Sequence, residues 1–280
     1  MALSLFAVFG KPIAHSLSPR IHAMFGAELG IALEYRRIEA DHPDFSHKLE
    51  AFAHEGGRGA NVTLPLKQDA LALCTHVSTR ARRCGSVNTL THSTSGWRGD
   101  STDGSGFLRD LRERHAFELR GRTCLLLGAG GAARAVAFAL AGEGIARLSI
   151  ANRTRERAEE LADAIDAPGV DVLAWDALAE VDAFDLVVHA TAAGHESATF
   201  ALPHAPVGSQ TLCYDLSYGH AAAAFLHWSR AAGATRAADG LGMLIEQAAD
   251  SFEIWHGQRP DTLPVHAALR GDLPPSLIGG

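Results

Sequence analysis

Apolar residues recur in two different rhythms along this chain. Over the first hundred residues, short apolar runs alternate with amphipathic stretches and polar connections. Residues 3–9 predict a first strand. Ser18-Pro19 predicts a helix start, with Ser18 as the N-cap and Pro19 preformed for the first turn. Ile21, Met24, Phe25 and Leu29 follow at i, i+3, i+4 and i+8, the spacing of one buried helix face. Residues 33–38 predict a second strand, and Phe45, Leu49 and Phe52 mark a helix stopped at Gly56-Gly57. Residues 60–63 read as a short strand before Pro65, and 87–92 with 97–100 as a hairpin. From about residue 104 the style changes. Strands at 123–127, 147–151, 170–174, 184–190 and 212–216 are separated by helix-length or loop segments. Leu186-Val187-Val188 is apolar without alternation, as a parallel strand covered on both faces should be. One more helix is predicted over 243–256, with Leu244, Ala248 and Phe252 four apart. The pattern is that of an α/β protein whose later part is doubly wound.

Composition narrows the class. With 280 residues the chain can bury one large core or two modest ones. Mean hydropathy is near zero, and no apolar run approaches the length of a membrane span. Met1 leads into the first strand without a basic flank or cleavage signal, so a secretory peptide is not expected and a cytoplasmic location is. A net charge of −7 with no basic tract argues against nucleic-acid binding. Cys74, Cys84, Cys124 and Cys213 are scattered and predict small buried hydrophobes in a reducing compartment. The 15 histidines lack metal-ligand spacing, and most are expected at the surface or at caps; no metal is predicted.

The first candidate chemistry is the glycine turn Gly128-Ala129-Gly130-Gly131-Ala132-Ala133-Arg134, following an apolar strand and opening an alanine-rich helix. Unpaired N–H groups and the positive helix end suit a pyrophosphate there, and missing side chains let it approach. About 20 residues further on, the next strand runs into Asn152-Arg153-Thr154-Arg155-Glu156-Arg157. No acid ends this strand, as NAD recognition would require. Asn152 and Thr154 can hydrogen-bond without charge. Arg153 and Arg157 can fork onto a 2′-phosphate, each charge-assisted bond contributing roughly 1.5–3 kcal/mol. A solvated helix start with pairs such as Arg155–Glu159 is the competing reading. The segment predicts NADP.

Five further clusters hold polar groups where a core would not want them: Ser16-Leu17-Ser18-Pro19, Asn61-Val62-Thr63-Leu64-Pro65-Leu66-Lys67, Ser86-Val87-Asn88-Thr89, Ser101-Thr102-Asp103-Gly104, and Gly240-Leu241-Gly242-Met243 through Gln247. Singly, Ser18 reads as a cap, Asn88 as a turn and Lys67 as a solvated first helical turn. Together, and in this order, the clusters resemble the shikimate dehydrogenase family from Gly10 to about Pro264. That resemblance implies NADPH-dependent reduction of 3-dehydroshikimate to shikimate, a step of aromatic amino-acid biosynthesis. It implies a substrate domain (1–103), a Rossmann-type NADP domain (104–240) and a C-terminal segment (241–280) returning to the first, with the active site in the cleft between domains. It also implies hinges near 102–106 and 239–242. Carried over, it assigns substrate binding to Ser16, Ser18, Thr63, Asn88, Asp103, Tyr218 and Gln247, and acid–base chemistry to Lys67 with Asp103. It adds Leu216, Gly240 and Met243 to the cofactor set of Gly128, Ala129, Gly130, Gly131, Ala132, Asn152, Arg153, Thr154 and Arg157. The expected partner is the small-molecule substrate, with neither nucleic acid nor membrane, in a monomer or homodimer.

Three departures from the family pattern stand out. The family's Asn after the fourth nucleotide-domain strand is His189, in His189-Ala190-Thr191-Ala192-Ala193-Gly194. An acidic residue often found nine positions before the family's Asn is Thr79, and the usual T-P-F-L is Ala223-Ala224-Phe225-Leu226. Two other functions compete. A quinate/shikimate dehydrogenase with relaxed cofactor use is opposed by paired Ser16 and Ser18 and by Asn152-Arg153-Thr154. A non-catalytic NADP-binding sensor is opposed by retention of Lys67 and Asp103.

Overall fold

The computed structural model describes residues 3–191 and 202–272. Part of the predicted turn after His189, residues 192–194, and the tail from Pro274 lie outside the described residues. The chain divides into two compact units, Met1–Gly106 with Ile245–Val265, and Phe107–Leu244 with His266–Gly280.

The first unit begins with strand β1 (Ser4–Gly10), helix α1 (Ser18–Leu29), β2 (Leu33–Glu39), α2 (Phe45–His54) and β3 (Gly57–Val62). Helix α3 (Lys67–Leu73), the two-residue β4 (His76–Val77), α4 (Thr79–Cys84), β5 (Thr89–Ser93) and β6 (Gly96–Asp100) follow. The sheet order is β2-β1-β3-β5-β6-β4. β1 pairs parallel with both β2 and β3, while β3–β5 and β5–β6 are antiparallel. The predicted hairpin is this β5–β6 pair, turning at Ser93 and Gly96. Phe9, Phe45, Leu49, Phe52, Val62, Leu66 and Leu90 share one core, so α2 covers the sheet with the residues its spacing predicted.

Helix α1 corrects one expectation. Its N-cap is Leu17, with no side-chain cap bond, and Ser18 is already the first helical residue. Ser18 is instead buried, as are Ile21, His22, Phe25 and Gly26, while Met24 is half-buried.

The second unit takes up the chain within α5 (Asp103–Glu113) and continues β7 (Thr123–Leu127), α6 (Gly131–Ala141), β8 (Arg147–Ala151), α7 (Arg155–Ile165), β9 (Val170–Val172), β10 (Leu186–His189) and β11 (Leu212–Asp215). α8 (Ala223–Ala231) and β12 (Arg236–Ala238) lead to α9 (Leu241–His256) and α10 (Leu263–Gly271). All pairings are parallel, in the order β12-β11-β10-β7-β8-β9. That is a doubly wound sheet whose chain reverses direction between β7 and β10, the point at which such sheets bind ligands. Pleating sends Cys124, Leu126, Leu186 and Val188 to one core and Leu125, Leu127 and Val187 to the other. Both faces are dry, hence the unbroken apolar run.

Several predicted strands are shorter than expected. Phe184 falls before β10 because its N–H bonds the Pro206 carbonyl and its own carbonyl accepts from Thr211 Oγ1, at 3.0 and 2.6 Å. Among the described residues no helix is long and apolar enough to cross a membrane. Cys84, Cys124 and Cys213 are buried thiols outside any disulfide, and burial pushes the Cys124 and Cys213 thiols up to about 12.

Candidate active site

Lys67 opens α3 and Asp103 opens α5, and the two side chains meet: Lys67 Nζ donates to Asp103 Oδ2 at 2.5 Å. Their side chains are only 10% and 7% exposed. Taking two charges out of water is costly, and a buried pair of this kind is often no more stabilising than apolar residues of the same volume. The position of Asp103 at a helix N-terminus offsets part of that cost. The Val87 N–H bonds the Lys67 carbonyl at 3.1 Å, which brings the Asn88 segment alongside.

Asn88 organises what lies around the pair. Its Nδ2 reaches Asp103 Oδ1 (3.1 Å), Thr102 Oγ1 (2.8 Å) and Gln247 Oε1 (3.0 Å). Its Oδ1 accepts from the Thr102 N–H at 2.8 Å and from Thr89 Oγ1 at 3.0 Å. A buried amide so satisfied has one orientation. Lys67, Asn88, Asp103 and Gln247, far apart in sequence, therefore lie in one network within the first unit.

The network also holds residues that the sequence reading left out of its site. Asn61 Nδ2 donates to Ser251 Oγ at 3.0 Å and to the Asn88 carbonyl at 3.2 Å, and its Oδ1 accepts from the Tyr35 hydroxyl at 2.7 Å. Thr89 and Ser251 hydroxyls are 2.8 Å apart. Ser251 was findable: it lies four residues after Gln247 and so shares its helix face. Burial holds the Tyr35 phenol well above its ordinary range, with the Ser18 hydroxyl opposing the shift. Ser16 and Ser18 hydroxyls lie 3.2 Å apart, and the Arg37 guanidinium donates twice to the Ser16 carbonyl at 2.9 and 2.7 Å. Thr63, just past β3, is half-buried, its N–H on the Phe9 carbonyl at 2.8 Å. Tyr218 belongs to the second unit, half-buried before the 3-10 turn Gly219–Ala222.

In the second unit, the cofactor candidates fit an anionic dinucleotide. Gly128 has φ +120°, and a Cβ there would stand 2.8 Å from the Ala190 carbonyl oxygen, so only glycine is accommodated. Gly130 caps α6, and a Cβ on it would meet nothing within 4 Å. No neighbouring protein atom requires glycine at 130, whereas a ligand resting on the N–H groups of Gly131 and Ala132 would. Ala129 is half-buried beside them. At the end of β8, Asn152 Nδ2 bonds the Thr154 carbonyl at 2.8 Å. Arg155 pairs with Glu159 at 2.7 Å, so the competing solvated-helix reading holds for this arginine. Arg153 and Arg157 are exposed and form no ion pair among the described residues. Gly240 approaches Leu216 closely, a Cβ there falling 2.3 Å from the Leu216 carbonyl oxygen, and Met243 is buried in the same unit.

Two departures have structural accounts. His189, at the end of β10, is buried with Nδ1 3.0 Å from Asp215 Oδ2 and Nε2 2.6 Å from Thr191 Oγ1. Its ring stacks on Phe225 at 5.1 Å. The histidine thus ties the ends of β10 and β11 together. Thr79 is the first residue of α4, capped by Ser78, and the neighbouring Arg80 pairs with Asp100 at 2.6 Å.

The chain matches three family descriptions in succession: "Shikimate dehydrogenase substrate binding domain" over residues 8–90, "Shikimate / quinate 5-dehydrogenase" over 110–202, and "Shikimate 5'-dehydrogenase C-terminal domain" over 240–270. It is 55% identical over 273 residues, 96% of each chain, to a shikimate dehydrogenase (NADP(+)) of Xanthomonas euvesicatoria pv. vesicatoria. It is 52% identical over 275 residues to one of Xylella fastidiosa strain M12, covering 97% of this chain and 98% of the relative. Among solved structures, the shikimate 5-dehydrogenase of Thermus thermophilus in complex with NADP(H) and shikimate superposes with a TM-score of 0.83 at 35% identity, covering 97% of this chain and 100% of that one.

Proposed function

The chain belongs to the shikimate dehydrogenase family and catalyses the reversible NADPH-dependent reduction of 3-dehydroshikimate to shikimate, and from that premise we propose that Lys67 and Asp103 perform its proton transfer. The observation that carries this reading is the nearly buried Lys67–Asp103 contact of 2.5 Å inside a satisfied polar network. When bound, NADPH supplies a hydride to the substrate's carbonyl carbon. The carbonyl oxygen then holds an extra electron pair and needs a proton. Lys67 Nζ gives that proton and is recharged from solvent; in the oxidative direction the neutral amine takes it back. Asp103 aims the ammonium and accepts a hydrogen bond from an adjacent ring hydroxyl. Asn88 holds Asp103 and Gln247, and Asn88 and Gln247 meet further hydroxyls, with Thr63 and Tyr218 completing the substrate set. Ser16 and Ser18, with hydroxyls 3.2 Å apart, take the carboxylate, which favours shikimate over quinate with its added hydroxyl at the same carbon.

Gly128, Ala129, Gly130, Gly131 and Ala132 would hold the pyrophosphate. Asn152, Arg153, Thr154 and Arg157 would hold the 2′-phosphate, and Leu216, Gly240 and Met243 the nicotinamide end. Cysteines kept as thiols support a cytoplasmic enzyme. Lys67→Met tests the assignment. General acid–base groups contribute roughly 10²–10⁴-fold, so kcat should fall by about that factor while NADP+ affinity holds within twofold. Turnover within tenfold of the parent, in a protein that still binds NADP+, removes Lys67 from the chemistry.

A further inference from the structure

Helix α9 presents two polar faces, one residue apart in register. Gln247 and Ser251 turn toward Asn88, Thr102 and Asn61. Glu246 and Asp250, also four apart, form a second face and are 0% and 7% exposed. Arg259, beyond the end of α9, folds back onto this second face. Its guanidinium donates to Glu246 Oε2 at 2.5 Å and to Asp250 Oδ1, and lies 4.0 Å from Glu253 Oε2. Thr262 Oγ1 donates to the other Glu246 oxygen at 2.6 Å.

Asp250 carries the arrangement across to α5. Its Oδ2 accepts from Ser105 Oγ at 2.5 Å, and Ser105 stands two residues after Asp103. The helices touch here: a Cβ on Gly106 would lie 2.6 Å from the Gln247 backbone nitrogen. Ser105 Oγ also lies 3.1 Å from the Thr102 carbonyl and 3.5 Å from Arg80, whose other nitrogens hold Asp100. Burying two carboxylates with one guanidinium is a poor way to gain stability alone, since apolar residues of the same volume do as well. It is a good way to fix geometry, because a forked guanidinium and a short hydroxyl–carboxylate bond each allow one arrangement.

We propose that Arg259, acting through Asp250 and Ser105, is a positioning residue that keeps Gln247 on α9 and Asp103 on α5 in register for the substrate. The inference rests on the roles given above to Asp103 and Gln247. Without the clamp, α9 is free to rotate and slide against α5, and the amide of Gln247 leaves the Asn88 nitrogen that it now meets.

Ser105→Ala is the least disruptive test, with Arg259→Met, Arg259→Lys and Asp103→Asn beside it. Steady-state kinetics give kcat and KM for shikimate and for NADP+, and circular dichroism gives Tm. Ser105→Ala should lower kcat/KM for shikimate about tenfold, with KM for NADP+ within twofold and Tm nearly unchanged. Arg259→Lys, keeping the charge but losing the fork, should recover most of the Tm lost in Arg259→Met but only part of the shikimate kcat/KM. Ser105→Ala added to Arg259→Met should cost little more than Arg259→Met alone. If Ser105→Ala leaves shikimate kcat/KM within twofold while Asp103→Asn abolishes turnover, the clamp is refuted and the active-site reading stands. If Asp103→Asn is also near normal, both fall. Equal losses toward shikimate and NADP+ would make the network a general structural element and overturn the proposal.

Discussion

Acid should weaken this protein through His22, and phenylalanine at that position should remove that part of the sensitivity. His22 is fully buried in α1, its ring stacked on Tyr35 at 4.4 Å and tilted against Trp255 at 5.3 Å. Neither ring nitrogen has a hydrogen bond of good geometry. Burial lowers the imidazole from 6.5 to about 3, with smaller contributions from the Asn61 side chain, which raises it, and from His256, which lowers it. In the unfolded chain the same group titrates near its ordinary value. Between the two values the unfolded state therefore binds more protons than the folded one. The stability that depends on a neutral His22 is complete above about pH 6.5 and is lost as pH falls toward 3, by about 1.4 kcal/mol per unit. At pH 5 the loss is about 2 kcal/mol, a large part of a typical 5–15 kcal/mol. Urea unfolding of the parent and of His22→Phe, followed by tryptophan fluorescence at pH 7.5 and pH 5, measures it. The parent should lose about 2 kcal/mol more than the variant on acidification. The same loss in both proteins would refute the account of a neutral buried imidazole.

Arg153→Ala should weaken NADPH binding by about one to two orders of magnitude, the value of one charge-assisted contact to phosphate, and NADH binding much less; equal losses in fluorescence titrations would remove the arginine from 2′-phosphate recognition. Gly242→Ala should destabilise the second unit, because the added Cβ would lie 2.4 Å from the Asp110 carboxyl carbon, and Asp110 already bonds the Tyr214 hydroxyl at 2.6 Å. Overpacking of this kind costs about 1–3 kcal/mol, read as a lower urea midpoint, and an unchanged midpoint would contradict the close packing. Asp110 itself is held below the ordinary carboxylate range: burial raises it, but the His115 and Tyr214 hydrogen bonds and the His115 and Arg114 charges together outweigh burial. Its contribution is present above the unfolded carboxylate value and lost as pH falls through the lower folded one, so Asp110→Asn should flatten the acid limb of a stability profile below about pH 4.

The doubly wound sheet was legible because its strands are covered on both faces. Cys124 to Leu127 and Leu186 to Val188 announce themselves as unbroken apolar runs, and pleating deals them to two cores. β12 was not legible, since Arg-Ala-Ala has no apolar pattern, and neither was β4, which is two residues long. Ser18 looked like a cap because local chemistry favours it; the helix begins one residue earlier and spends the hydroxyl on Ser16. Lys67, Asn88, Asp103 and Gln247 were found through ordered motifs. Their contacts were not, because Asn88 meets Gln247 across 159 positions and Asn61 meets Ser251 across 190. Such pairings follow from tertiary packing, which no local pattern encodes. His22 escaped for the related reason that one polar residue on a helix face reads as surface until its neighbours are known.

Initial rates with shikimate and with quinate, each with NADP+ and with NAD+, test the central claim most directly. Shikimate with NADP+ should give the highest kcat/KM, with either change lowering it and both together lowering it most. Quinate turned over as well as shikimate would contradict the carboxylate site built from Ser16 and Ser18. NAD+ used as well as NADP+ would contradict the phosphate site built from Asn152, Arg153, Thr154 and Arg157.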